Sequence, residues 1–212
     1  MTTQPPGLGS GQEQLPAATE SVVNAIFHRY DPPLWLVTAC ADGRRGGFIA
    51  TSVTRVSIVP ELPRILLAVA KHHFTWDLIE RSDRFALHLL PCDAVDLVHR
   101  FGLASGHAGD KFADLPHDTT PAGMPLIKAA SSWLDCAIES RMDIGDRTTY
   151  LAAVTGGGQL RDGPVMTVAE LLSALSHSDH AKLKRLYAHD QTIDREAILA
   201  WRNQRGISSH AV

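Results

Sequence analysis

Leu34-Trp-Leu-Val-Thr-Ala-Cys-Ala41, the turn Asp42-Gly43, Gly46-Gly-Phe-Ile-Ala-Thr-Ser-Val-Thr-Arg-Val-Ser-Ile58 and Arg64-Ile-Leu-Leu-Ala-Val-Ala70 follow one another with no helical period between them. All three runs are apolar or rich in Thr, Val and Ile, the residues that suit a pleated surface. Asp-Gly between the first two is a tight hairpin signal. Downstream, Phe85 to Leu90 reads as a strand with Phe85, Leu87 and Leu89 on one face. Trp133 to Glu139 points Leu134, Cys136 and Ile138 inward. After a turn at Gly145-Asp146, Thr148 to Val154 forms a sixth strand, ended by Gly156-Gly-Gly158. Strands come in consecutive groups and do not alternate with helices, which favours a closed antiparallel barrel over a doubly wound sheet.

Helical periods flank these strands. Val23, Ile26, Phe27 and Tyr30 fall at i, i+3, i+4 and i+7, and Asp31-Pro32-Pro33 stops the helix. Thr75 to Arg81 has weaker helical spacing, and Ala94, Leu97, Val98 and Phe101 repeat the i, i+3, i+4, i+7 pattern after Asp93. Residues 102–124 read as a long loop rich in Gly, His and Asp, a length that is uncommon unless functional. Thr167-Val-Ala-Glu170 has capping-box spacing. Two further helices are expected near 181–189 and 193–202. The chain therefore divides into a flexible tail at 1–20, a barrel domain at 21–158 and a helical extension at 159–212, packing on the barrel or on a dimer partner.

Of the 212 residues, 20 are Lys or Arg and 23 are Asp or Glu, a formal charge of −3. Without a basic block the chain is a poor match for nucleic acid. No run reaches the roughly 18 apolar residues of a membrane-spanning helix, and the first residues lack the order of a secretory signal. Three scattered cysteines exclude a disulfide framework and fit a cytoplasmic protein.

The sequence contains no G-x-S-x-G elbow, Walker loop or H-E-x-x-H motif, and no G-x-G-x-x-G in a strand–helix context. His177-Ser-Asp179-His180, with His189 further on, offers an incomplete ligand set and reads as solvated helix-end histidines, so no metal is expected. Two other segments carry more chemistry. Ala50-Thr-Ser-Val-Thr54 places small and hydroxyl side chains in a strand, where hydrogen bonds and close approach of a flat ring are both available. Lys71-His-His-Phe-Thr75 sets a cation and a hydroxyl at a strand end and helix start, a physically sound phosphate cradle. An ordinary Thr-rich strand, and a surface Lys with a capping Thr, are the plain alternatives.

From about Pro33 to Val154 the sequence resembles the flavin reductase-like family, the FMN-binding split barrel. The resemblance rests on the first strand with Asp42-Gly43; Ala50 to Ser57 with Pro60; Lys71 to Thr75; Arg84-Phe-Ala-Leu-His-Leu-Leu-Pro91; Arg100-Phe101; Lys111-Phe112; Trp133-Leu-Asp-Cys136; and Gly145-Asp-Arg-Thr-Thr-Tyr150. It implies a mainly β fold, a six-stranded antiparallel split β-barrel homodimer with FMN near the subunit interface. It also implies reduction of flavin by NADH or NADPH, with reduced flavin passed to a separate monooxygenase. Carried over, Ala50, Thr51, Ser52, Val53 and Thr54 line the ring and ribityl chain, Lys71 and Thr75 hold the phosphate, and His88 stands where the family often has Asn. Arg147 replaces the histidine many members place near the nicotinamide. It either grips an anionic group of the reductant or pairs with a carboxylate such as Asp146 or Asp143. Two other functions stay open: a non-catalytic flavin- or haem-binding module, and a flavoenzyme acting directly on a small organic substrate.

Overall fold

The computed structural model describes residues 16–104 and 109–207. Helix α1 (Ala17–Phe27) precedes strands β1 (Trp35–Ala41), β2 (Arg44–Ala50), β3 (Val53–Arg55) and β4 (Arg64–Ala70). Next come α2 (Phe74–Ser82), β5 (Arg84–Leu89) and α3 (Val95–Gly102), then the two-residue strands β6 (Asp118–Thr119) and β7 (Pro125–Leu126). The long hairpin β8 (Ser132–Asp143) and β9 (Arg147–Gln159) follows, and α4 (Val168–Ala174) and α5 (His177–Gln204) end the chain. The first fifteen residues of the expected tail lie outside the described residues. Residues 17–20 belong to α1, whose apolar stripe is exposed and which buries no residue.

All the long strands join one antiparallel sheet of seven, in the order β2-β1-β5-β8-β9-β4-β3. The β1–β2 turn uses Asp42 and Gly43, both at positive φ (51° and 72°), the left-handed pair that a two-residue hairpin requires. β2 and β3 occupy opposite edges of the sheet, yet only Thr51 and Ser52 separate them in sequence. Three peptide steps span at most about 10 Å, so the sheet must curl until its edges nearly meet. The hydrogen bond from Ala68 N to Ser52 O, 3.3 Å, fastens the second edge strand where the link arrives.

Three expectations change. The single strand foreseen over Gly46–Ile58 breaks at Thr51-Ser52, where the chain passes from one sheet edge to the other, and six strands become seven. β9 does not end at the glycine run but continues to Gln159. A Cβ on Gly157 would lie 2.8 Å from Leu134 Cδ2 and 2.9 Å from Trp133 O, so glycine there permits the close approach of β8. The two helices foreseen at 181–189 and 193–202 are one, because no Gly or Pro interrupts 177–204. At 28 residues it is about 42 Å long.

The curl encloses one cluster of buried side chains, among them Val37, Leu67, Val69, Phe85, Leu87 and Tyr150, capped by Leu78 and Ile79 of α2. A second cluster joins Leu36 and Leu90 to Leu97, Val98 and Phe101 of α3, to Phe112 and Ile127, and to Leu171 of α4. The segment between α3 and β8 is anchored by Lys111, whose ammonium donates to Phe101 O (2.9 Å) and Gly47 O (3.2 Å). Burial pushes this amine down to about 8. Among the described residues, no helix is long and apolar enough to cross a membrane.

Candidate functional site

Strand alternation gives β4 and β9 two unlike faces. Ile65, Leu67 and Val69, with Thr148, Tyr150 and Ala152, point into the core and are buried. The other set (Leu66 and Ala68 on β4, Arg147, Thr149, Leu151 and Ala153 on β9) is half-buried on the outside of the curl. Register aligns these residues into rows. Ser52 lies beside Ala68, Ala68 opposite Thr149, and Thr149 opposite Met142 of β8. One step along, Thr54, Leu66, Leu151 and Ser140 form the next row. The outside face thus offers a low, small-residue platform at Ala68 and Thr149, edged by the hydroxyls of Ser52 and Thr54. Thr51 and Ser52 are exposed, Val53 turns in to the core, and Ala50 is buried.

Lys71 follows the last residue of β4. From Ala68 it is three residues along the strand direction, roughly 10 Å, at the rim of the sheet where β4 ends opposite the start of β9. Lys71 N donates to Asp146 O at 2.9 Å, and its ammonium pairs with Asp143 Oδ1 at 2.6 Å. That lysine contact, with a second hydrogen bond from Gly145 N, holds the Asp143 carboxyl below its usual range. A half-exposed pair of this kind contributes about 0–1 kcal/mol, and an ammonium has three donors, so the cation retains capacity for an incoming anion.

Two of the residues expected to contact the flavin have their side chains buried in the protein. Thr75 sits in the first turn of α2 but is 2 % exposed. A Cβ on Gly46 would lie 2.9 Å from its Oγ1, so the hydroxyl packs under β2 and only the helix N-terminus remains near Lys71. His88 lies in the core on β5. Its Nε2 accepts from Ile127 N (3.2 Å), which leaves Nδ1 to donate to Leu36 O (3.2 Å). With both ring nitrogens spent on main chain, His88 has nothing to offer a ligand, and burial pushes its imidazole down to about 4.

Arg147 is half-exposed and paired twice: Nε with Asp146 Oδ2 at 2.8 Å and Nη2 with Asp194 Oδ2 at 2.6 Å. The first partner is its sequence neighbour, one of the alternatives open from sequence. The second comes from α5, 47 residues on, and no local pattern signals it. α5 also presses Trp201 on Gly145 at the β8–β9 turn, where a Cβ would lie 2.9 Å from Trp201 Cβ. The platform residues Ala68, Thr149 and Leu151 were missed because each is unremarkable alone; the alternation of buried and half-buried positions on β9 is the signal that would have found them. His177 and His180 are exposed near the start of α5, with His180 Nδ1 3.0 Å from Ser176 O.

Comparison with known proteins fits this architecture. The chain is 27 % identical over 145 residues to a high molecular weight rubredoxin of Moorella thermoacetica, covering 68 % of this chain and 62 % of that protein. It is 29 % identical over 154 residues to HsaB, the reductase subunit of a flavin-dependent monooxygenase of Rhodococcus jostii, covering 73 % and 76 %. The chain thus spans under two thirds of the first relative and about three quarters of the second. Among solved structures, the NADH:FAD oxidoreductase SgcE6 of Streptomyces globisporus superposes with a TM-score of 0.63 at 23 % identity, covering 73 % of this chain and 91 % of that one. The model of the flavin reductase like domain matches residues 27–174, which contain the whole curled sheet, and the chain belongs to that family.

Proposed function

We propose that the protein is a flavin reductase that binds FMN on the outer face of β3, β4 and β9 and reduces it with NADH or NADPH. The observation that carries this reading is the Ser52–Ala68–Thr149 row, with Lys71 roughly 10 Å away along β4 at the rim of the sheet. A flat ring needs small side chains beneath it and hydrogen-bonding groups at its edge, and a phosphate needs a cation at the far end of the ribityl chain. Thr51, Ser52 and Thr54 supply the edge. Lys71 and the N-terminus of α2 supply the phosphate contacts, with Thr75 contributing main chain and not its hydroxyl. Bound flavin would supply the two-electron chemistry; the protein's task is to hold ring and nicotinamide in contact and to keep water out.

Arg147 stands on the same face as the platform, one register step beyond Thr149, and is a cation available to an incoming reductant's phosphates. To grip them it must exchange Asp194 for the ligand. That engagement also favours the second reading, a flavin-binding module without nicotinamide turnover. The outer face is half-buried within one chain, and Met142 at 59 %, Leu62 at 67 % and Ile58 at 94 % exposure border it. A second copy covering this surface would complete the site as a homodimer. A relative that is a reductase subunit supports a separate monooxygenase as the user of reduced flavin. Ala68→Trp tests the platform directly: bulk on the outer face should weaken FMN at least tenfold with the circular dichroism unchanged. Unaltered FMN affinity would place the ring elsewhere.

A further inference from the structure

α5 presents one half-buried stripe to the barrel: Leu183, Leu186, Asp190, Ile193, Asp194, Ala197 and Trp201. An apolar stripe is what docking requires, and two carboxylates in the middle of it need a reason. They face the turn between β4 and α2. His72 Nε2 is 3.4 Å from Asp190 Oδ1, and His72 Nδ1 is 3.4 Å from Asp194 Oδ1. The His73 ring stands edge-on to His72, with centroids 4.7 Å apart. One ligating atom from each of His72, His73 and Asp190 comes within 4.8 Å of the others, and among the described residues this is the one group of three or more such donors.

We propose that His72, His73 and Asp190 bind a divalent transition-metal ion of the zinc class, clasping α5 to the β4–α2 turn. Two imidazoles and a carboxylate are ligands zinc accepts, with a water in the fourth position. Tetrahedral bonds of about 2.0–2.1 Å set neighbouring donors about 3.4 Å apart, which side-chain rotation in three half-buried residues can reach. The surrounding groups suit a metal-bound His72. With Nε2 on the metal, Nδ1–H would face Asp194 Oδ1 at 3.4 Å, the carboxylate–histidine–metal arrangement that orients zinc ligands. Asp194 in turn holds Arg147 through its other oxygen. The ion would therefore fix the helix whose Asp194 occupies Arg147.

The test uses the full chain without a histidine tag, stripped with chelator and free of flavin, so its outcome is independent of flavin binding. Zn²⁺ is titrated by calorimetry, and Co²⁺ by visible absorption, into the wild type, Asp190→Asn, His73→Gln and the control His180→Ala. The site predicts one equivalent of Zn²⁺ at micromolar or tighter affinity and an intense Co²⁺ spectrum in the wild type and in His180→Ala. Asp190→Asn and His73→Gln should each bind at least tenfold more weakly. Asp194→Asn, which removes only the orienting carboxylate, should bind with an intermediate loss. Absence of an equivalent of bound Zn²⁺ in the wild type, or wild-type affinity in both Asp190→Asn and His73→Gln, would overturn the proposal.

Discussion

His88→Asn should change the pH dependence of stability by a calculable amount. The imidazole ordinarily titrates at 6.5 and is held at about 4 in the folded protein by burial, against a smaller opposing effect of the Leu36 carbonyl. A depressed histidine pKa means that the unfolded chain takes the proton first. The contribution to stability is therefore intact above pH 6.5 and lost as the pH falls toward 4. For one group with these values the loss is about 2 kcal/mol at pH 5, approaching about 3 kcal/mol below pH 4. Asparagine keeps one donor and one acceptor for Leu36 O and Ile127 N but cannot titrate. Urea unfolding at pH 8 should find the variant less stable, by roughly 1–3 kcal/mol for the imperfect fit. At pH 5 that deficit should shrink by about 2 kcal/mol or reverse, since the other histidines are common to both proteins and cancel. Flavin affinity at pH 8 should be unaltered. A deficit that stays constant from pH 8 to pH 5 would refute a neutral, main-chain-bound His88.

Lys71→Ala should weaken FMN by about ten- to a hundredfold, the scale of a charge-assisted hydrogen bond, while riboflavin, which has no phosphate, binds almost as before. Fluorescence titration with both ligands measures this, and equal losses would remove Lys71 from the phosphate. Arg147→Ala should raise the apparent KM for the nicotinamide and leave FMN affinity nearly unchanged in steady-state assays. An unchanged KM would confine Arg147 to its pairing with Asp146 and Asp194.

The strands of the curled sheet were legible from local signals. Asp42-Gly43 marks the hairpin, and the apolar runs Phe85–Leu90 and Arg64–Ala70 mark strands, although β5 is buried on both faces and β4 only half-buried on its outer one. What sequence could not show is the consequence of the curl. Thr51 and Ser52 look like mid-strand residues, and only the crossing from one sheet edge to the other makes them an exposed link. Thr75 and His88 carry the right chemical groups, but whether a hydroxyl or a ring nitrogen faces ligand or main chain depends on partners far away, Gly46 for one and Ile127 for the other. Asp190 and Asp194 carry no local signal, and only the docking of α5 brings them against His72 and Arg147.

The most direct test of the account is an anaerobic titration of the FMN-loaded protein with NADH and NADPH, followed by the visible absorption of the flavin. The account predicts that one equivalent of at least one of the two nucleotides bleaches the bound flavin. A flavin that binds yet stays oxidised in the presence of excess NADH and excess NADPH would contradict it.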